Sequence, residues 1–221
     1  MADRVEILGQ LAQDFFYQEY KPADGFLRLK HFTWLCIAAD GKLKQDEYDK
    51  QVNNNLRKRT PNAPIILSAD NYITVEADIK DDKAVLPSPV MTFPGAHPSL
   101  SVSQVVPDGD CGNIMPITQA EKWEACRIKT VPFWLLSSCG IEFINLQTSC
   151  NPKKVTVTYI PSLTKKSLVQ ESRKWAILNM VTIFVKSAKD GSIVDMTADG
   201  NSNTAMQAEI NKYLLKAIQK Q

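Results

Sequence analysis

Apolar residues recur at three- and four-residue spacing at the start of the chain. Val5, Leu8, Leu11, Ala12, Phe15 and Phe16 share one face, the period of an amphipathic helix, which is expected to end near Tyr20. Pro22 suits a first helical turn, and from Phe26 the positions Leu27, His31, Trp34, Leu35 and Ala38 carry a second helix at least to Ala39. Asp40-Gly41 reads as a turn or break. Beyond it Leu43, Tyr48, Val52 and Leu56 support a further helix up to the basic cluster Arg57-Lys58-Arg59.

After residue 60 the period changes. Pro61, Pro64, Pro87, Pro89, Pro94, Pro98 and Pro107 interrupt helices, and the runs between them are short and β-prone. In Tyr72–Ile79 the apolar Ile73, Val75, Ala77 and Ile79 alternate with Thr74, Glu76 and Asp78, the pattern of a half-buried strand. Short strands are expected at Val90–Phe93 and Ser101–Val106, with 80–117 forming a long projecting loop or arm. Thr118-Gln119-Ala120-Glu121 matches a capping box and should open a short helix reaching about Ile128. Phe133–Leu136, Gly140–Leu146 and Lys154–Ile160 read as strands, the last two pairing through the connection at 147–152, and Pro161 ends the third.

Residues 171–189 return to helical spacing. Trp175, Leu178, Val181, Ile183 and Val185 cover much of the circumference, so this helix is expected to be the most buried of the protein. Asp190-Gly191 marks its stop, and a polar stretch from Asp199 to Thr204 precedes a final helix carrying Ile210, Leu214 and Ala217. The expected fold is α+β, a helical scaffold of N-terminal helices plus two C-terminal helices with a β-rich middle insertion. At 221 residues the expectation is a single domain, 1–221. Its sub-regions are 1–60 helical, 61–117 a β-rich loop or arm, 118–170 a short helix and strand pair, and 171–221 the C-terminal helices.

Charge refines this picture. The chain carries 26 basic and 24 acidic residues, which lacks the basic excess of a protein that grips a phosphate backbone by charge alone. The distribution is uneven: residues 61–149 hold 5 basic and 10 acidic side chains, and residues 150–221 hold 11 and 5. An acidic middle and a basic end offer a head-to-tail assembly two complementary faces. No run approaches the ~18 apolar residues of a membrane span, and the charged start Met1-Ala2-Asp3-Arg4 is unlike a secretory signal, so an intracellular protein is expected.

Candidate chemistry is sparse. The five cysteines, Cys36, Cys111, Cys126, Cys139 and Cys150, are odd in number and form no Cys-x-x-Cys pair, which favours reduced thiols over a disulfide scaffold or a zinc site. His31 falls inside a helix and reads as a packed residue. Cys111 with His97 is the one pairing that suggests a thiol hydrolase, without flanking motifs to support it. Asp195, Asp199, Asn201 and Asn203 put oxygens at alternating positions, but Gly200 and Met206 stand where a calcium loop needs other residues. No phosphate-cradling glycine motif occurs. Arg57-Lys58-Arg59, Lys153-Lys154 and Lys165-Lys166 read as solvated surface, or alternatively as the lining of a channel through which nucleic acid slides. No catalytic, metal or cofactor-binding residue is assigned from the residues alone.

The order of parts carries a resemblance. The helical first third, the short helix, the strand pair closing in Lys153-Lys154-Val155-Thr156-Val157-Thr158-Tyr159-Ile160-Pro161, the helix Glu171–Lys189 and the tract Asp195-Met196-Thr197-Ala198-Asp199-Gly200-Asn201-Ser202-Asn203 resemble head-to-tail connector (ring) proteins of short-tailed bacteriophages, crAss-like phages infecting Bacteroides and relatives above all. The resemblance covers 1–60 and 118–221; residues 61–117 match nothing. It implies a non-enzymatic, structural virion protein without cofactors, a homo-oligomeric ring of about twelve copies held by heterologous contacts. It would join the portal protein to neighbouring tail or ring proteins at the head-tail junction, after assembly in the host cytoplasm. Double-stranded DNA would pass through its channel without sequence recognition, and no membrane is involved. The competing expectations are the thiol hydrolase of Cys111 and His97, or a tail or baseplate adaptor of other architecture.

Overall fold

The computed structural model of the chain describes residues 3–19, 28–109, 111, 114–138, 140–146 and 152–189. It is α+β, with helices before and after a β-rich insertion in the sequence, and it divides into two compact units. The first comprises Met1–Asn53 and Leu163–Gln221, and the second Asn54–Ser162. The expected final helix with Ile210, Leu214 and Ala217, the Asp195–Asn203 tract and Pro22 lie outside the described residues.

In the first unit, helices α1 (Val5–Glu19), α2 (Leu29–Arg57, whose last turn belongs to the second unit) and α5 (Glu171–Lys189) surround one apolar core. Val5, Leu8, Phe32, Leu35, Ala39, Ile177, Val181 and Phe184 are buried together there. A short antiparallel pair, β1 (Asp3–Arg4) with β9 (Leu168–Val169), joins the two ends of the unit. Helices α1 and α2 approach closely at Gly9: a Cβ there would stand 2.7 Å from Thr33 Oγ1 and 2.8 Å from the Thr33 amide nitrogen.

Helix α2 runs without interruption through Asp40-Gly41, where a break was expected. Both residues are buried, and the Asp40 carboxylate meets Lys44 one turn on, 2.5 Å away, and the Arg173 guanidinium, 2.8 Å away. An aspartate engaged in this way no longer competes for backbone donors, and burial offsets the ~1 kcal/mol that a mid-helix glycine costs. The helix ends instead at Arg57, and the chain closes it through Arg59. There the Thr60 N–H donates to Asn55 O (2.9 Å) and the Arg59 N–H to Leu56 O (3.0 Å), a Schellman closure with Arg59 at φ 57° where glycine is usual. Helix α5 is not the most deeply packed element. Ile177, Val181, Phe184 and Val185 are buried, but Trp175 is 65% exposed and Ile183 52% exposed, so its apolar circumference includes an open face.

The second unit is built on a seven-stranded sheet in the order β4-β8-β2-β3-β7-β6-β5. The strands are β2 (Ile73–Lys80), β3 (Lys83–Val85), β4 (Val102–Pro107), β5 (Met115–Pro116), β6 (Phe133–Ser137), β7 (Gly140–Ile144) and β8 (Lys154–Tyr159). All neighbours are antiparallel except β5 and β6. Strand β2 shows the expected alternation, with Thr74, Glu76 and Asp78 exposed. It turns into β3 through Asp81 and Asp82, both at positive φ (50° and 58°), the backbone of a two-residue primed turn.

This hairpin corrects the expected pairing of Gly140–Leu146 with Lys154–Ile160: β7 pairs with β3 and β6, and β8 with β2 and β4. The β2–β3 hairpin occupies the place between them. Residues 61–117 are accordingly no projecting arm, since they supply four of the seven strands. Val90–Phe93 forms no strand, only a bridge from Val90 to Pro161 and a hydrogen bond from Met91 N to Ile160 O (2.9 Å). The close fit of β7 against β3 depends on Gly140 at φ 151°, where a Cβ would fall 2.2 Å from Ala84 O.

The capping box forms as expected. The Glu121 carboxylate accepts from Thr118 N at 2.7 Å and from Thr118 Oγ1 at 2.8 Å, opening a short 3-10 turn that leads into α4 (Lys122–Arg127). These bonds to Thr118 hold the Glu121 carboxyl below its ordinary value. At the other end of α4, Asn145 stands at φ 62° just after β7 and donates its amide to Ile128 O (2.6 Å) and to Ala125 O (3.2 Å), the latter already accepting the Ile128 N–H at 3.1 Å. A four-residue helix, α3 (Pro98–Ser101), precedes β4.

Candidate functional site

The residues that suggested chemistry are engaged in structure. His31 is buried in the first turn of α2, and its Nδ1 accepts from the Arg28 N–H at 2.9 Å, a local helix-start contact. His97 is exposed and caps α3: its Nδ1 accepts from the Ser99 N–H (3.3 Å) and lies 2.9 Å from Ser99 Oγ. Cys111 is disulfide-bonded, its partner lying outside the described residues, which corrects the expectation of five reduced thiols. An odd cysteine count leaves room for one bridge, and pairing follows proximity in the fold rather than spacing in the sequence. With its sulfur in a bridge, Cys111 would need reduction before it could act as a nucleophile with His97. Cys36 and Cys126 are free thiols, and burial pushes the Cys36 thiol up to about 12. Among the described residues no three His, Cys, Asp or Glu side chains gather as a metal site. The Asp195, Asp199, Asn201 and Asn203 set lies outside them.

The basic clusters separate. Arg57, Lys58 and Arg59 are exposed around the end of α2. Lys153 and Lys154 open β8, where Asp108 Oδ1 accepts both of their N–H groups at 3.0 Å. The Lys154 ammonium also pairs with Glu76 at 2.5 Å, and that hydrogen bond raises its pKa above the ordinary lysine value. Lys165 and Lys166 sit exposed in a turn closed by the Ser167 N–H on Thr164 O (3.0 Å). The charge split along the sequence does not carry over to the fold. The second unit holds ten basic and ten acidic residues, because Arg57–Arg59 and Lys153-Lys154 fall in it with the acidic middle. Part of the complementarity expected between subunits is met inside one chain.

What the described surface offers is uncovered apolar area. In the second unit the segment 115–128 exposes Met115, Trp123 (75%) and Ile128. In the first unit an apolar groove of about 410 Å³ lies between α1, α2 and α5. Phe32 lines it beside Leu11, Phe15, Trp175 and Leu178, and Phe16 packs tilted on Phe32 with ring centres 5.5 Å apart. Lys174, Asn179 and Thr182 supply its polar lining. Sequence periodicity placed Leu11, Phe15 and Trp175 on apolar helix faces but gave them to the core. The signal that could have found the groove is the excess of apolar positions on α5 over what one packing face requires. No described helix is long and apolar enough to cross a membrane. A scan against protein-family models finds no match to the chain, and a search of curated proteins finds none either.

Proposed function

We propose that the chain is a structural, non-enzymatic virion protein that forms a closed ring of about twelve copies in the head-to-tail connector of a tailed bacteriophage. The observation that carries the proposal is the order of parts: helices from both ends of the sequence build one unit, and a sheet is inserted between them. The helical first third and the helix Glu171–Lys189 are two of the parts on which the resemblance to connector rings rests; the strand pair it also used does not form, and the Asp195–Asn203 tract lies outside the described residues. The exposed Met115, Trp123 and Ile128 lend further support, since large apolar side chains left open on a subunit suit surfaces that other chains cover. In this reading the ring joins the portal to the tail at the head-tail junction, and double-stranded DNA passes its channel without base-specific contacts.

Heterologous contacts of this kind close only if each copy offers two different faces. Because the second unit balances its own charge, apolar contacts should supply most of the affinity and salt should weaken assembly only modestly. The test is mass measurement of the chain together with the portal. Closed particles of about twelve copies, ~300 kDa from the 24.7 kDa chain, are expected. A chain that stays monomeric beside an assembled portal would remove the ring.

A further inference from the structure

We infer that the apolar groove of the first unit receives Trp123 of a second copy of the chain, a knob-in-groove contact that joins neighbouring subunits head to tail. The inference rests on the ring reading above, because a heterologous ring needs two different faces on every copy. The groove is the hollow face. It measures about 410 Å³, and Leu11 (40% exposed), Phe15 (53%) and Trp175 (65%) open onto it, with buried Phe32 also in its lining. Trp123 is the projecting face. At 75% it is the most exposed large apolar side chain among the described residues, and tryptophan is among the side chains that most often anchor a protein interface.

The mounting of Trp123 is rigid. Helix α4 buries Ala125 and is fastened at both ends, by the Thr118–Glu121 box before it and the Asn145 amide after it. The Lys122 ammonium, next to Trp123, pairs with Glu142 of β7 at 2.8 Å. A side chain presented on such a support loses little freedom on docking, which favours it as an anchor. The polar groups of the two faces also match. A buried indole needs an acceptor for its N–H. The groove lining offers two: Asn179, whose side chain makes no hydrogen bond among the described residues, and Thr182, whose Oγ1 donates to Leu178 O at 3.0 Å and retains lone pairs to accept. Charge agrees as well. Lys174 lines the groove with its side chain 17% exposed, while Glu124, beside Trp123, is exposed and makes no ion pair among the described residues. The contact therefore brings an anion to the one cation of the lining.

The experiment is mass photometry of the full chain with the portal. Trp123→Ala and Phe15→Asp should each raise the concentration at which half the copies assemble by ~30-fold or more. Ile66→Ala, which trims a side chain 73% exposed elsewhere on the second unit, should leave it unchanged. Mixing the first two variants should give pairs. The intact Trp123 of one fits the intact groove of the other, and both remaining faces are spoiled, so growth stops at a 1:1 dimer. A second measurement does not depend on how Phe15→Asp folds: benzoylphenylalanine in place of Trp123 should photo-crosslink to α1 or α5 of another copy, identified by mixing light and heavy isotope-labelled chains. Rings that form equally well in both variants overturn the inference and leave the ring reading standing, whereas a wild-type chain that stays monomeric beside an assembled portal overturns both. Mixtures that yield no dimer, crosslinks that stay within one chain, or none at all would each overturn the inference.

Discussion

Replacing Asp40 by asparagine keeps the side chain's shape and removes one negative charge from the inside of the first unit. The carboxylate is only 3% exposed, and it sits between two cations: Lys44 (2% exposed) at 2.5 Å from Oδ2, and Arg173 (15% exposed), whose Nε and Nη2 lie 2.9 and 2.8 Å from Oδ1. Such a group is held by mutual compensation. Desolvating three charges is costly, and the pairing makes it tolerable. Taking away this anion leaves both cations facing an amide that can accept only through its oxygen. Removal of one partner from a buried pair costs ~3–5 kcal/mol, a large share of the ~5–15 kcal/mol that holds a domain together. The assay is urea unfolding followed by circular dichroism, with Asp46→Asn as comparator. Asp46 pairs with Lys42 at 3.0 Å on the surface, where both side chains are a third or more exposed, and should cost less than ~1 kcal/mol. Adding Lys44→Met to Asp40→Asn should recover part of the loss, because the buried ammonium that Asp40 offsets goes with it. The buried loss should persist at 1 M salt, where the Debye length is about 3 Å and the surface pair is screened. If Asp40→Asn costs no more than Asp46→Asn, the triad does not fix α5 against α2 and the reasoning fails.

Gly140→Ala should destabilise the second unit by more than ~2 kcal/mol in the same assay, since its Cβ would fall 2.2 Å from Ala84 O, and a neutral result would contradict the β3–β7 register. Asn145→Ala should cost ~1–3 kcal/mol by removing the amide donor from the Ile128 carbonyl and one of two donors from the Ala125 carbonyl, detectable as faster amide exchange across α4. Asp82→Gly should stabilise the β2–β3 turn by ~0.5–1 kcal/mol, because glycine adopts its φ of 58° without strain, and a lowered urea midpoint would count against the turn assignment. Cys36 carries a pH signature. Its thiol titrates near 9.0 when unfolded and near 12 when folded, so the unfolded chain releases its proton first and stability falls by ~1.4 kcal/mol per pH unit as pH rises from about 9 towards 12. Iodoacetamide should modify exposed Cys126 in the native protein and reach Cys36 only on unfolding, and a Cys36→Ala chain that retains the alkaline slope would assign it elsewhere.

Local signals were legible where one residue type dictates a backbone state. The alternation in β2, the Thr118–Glu121 box and the face of α1 all follow from spacing alone, because each depends on side chains a few positions apart. Asp40-Gly41 misled because the pair looks like a turn in isolation, while Lys44 one turn on and Arg173 far along the chain hold Asp40 in a helix interior. Strand order was hidden for a similar reason. β7 and β8 are consecutive and β-prone, yet β2 and β3 take the places beside them, and nothing near residue 150 announces that. Arg59, Asp81, Asp82 and Asn145 hold positive φ without being glycine, so the turns they make carry no glycine signature. The disulfide at Cys111 was illegible because proximity in the fold has no trace in an odd count of five. Of the candidate surfaces, periodicity found the apolar faces but could not say which of them remain uncovered.

The ring is the central claim, and imaging it in place tests it most directly. Electron cryomicroscopy of particles that contain the protein, averaged about the axis of the head-tail vertex, should show a closed ring of about twelve copies below the portal. Density for each copy should resolve the helices of the first unit and the seven-stranded sheet of the second. Finding the chain as isolated copies, or in an assembly away from that vertex, would contradict the account.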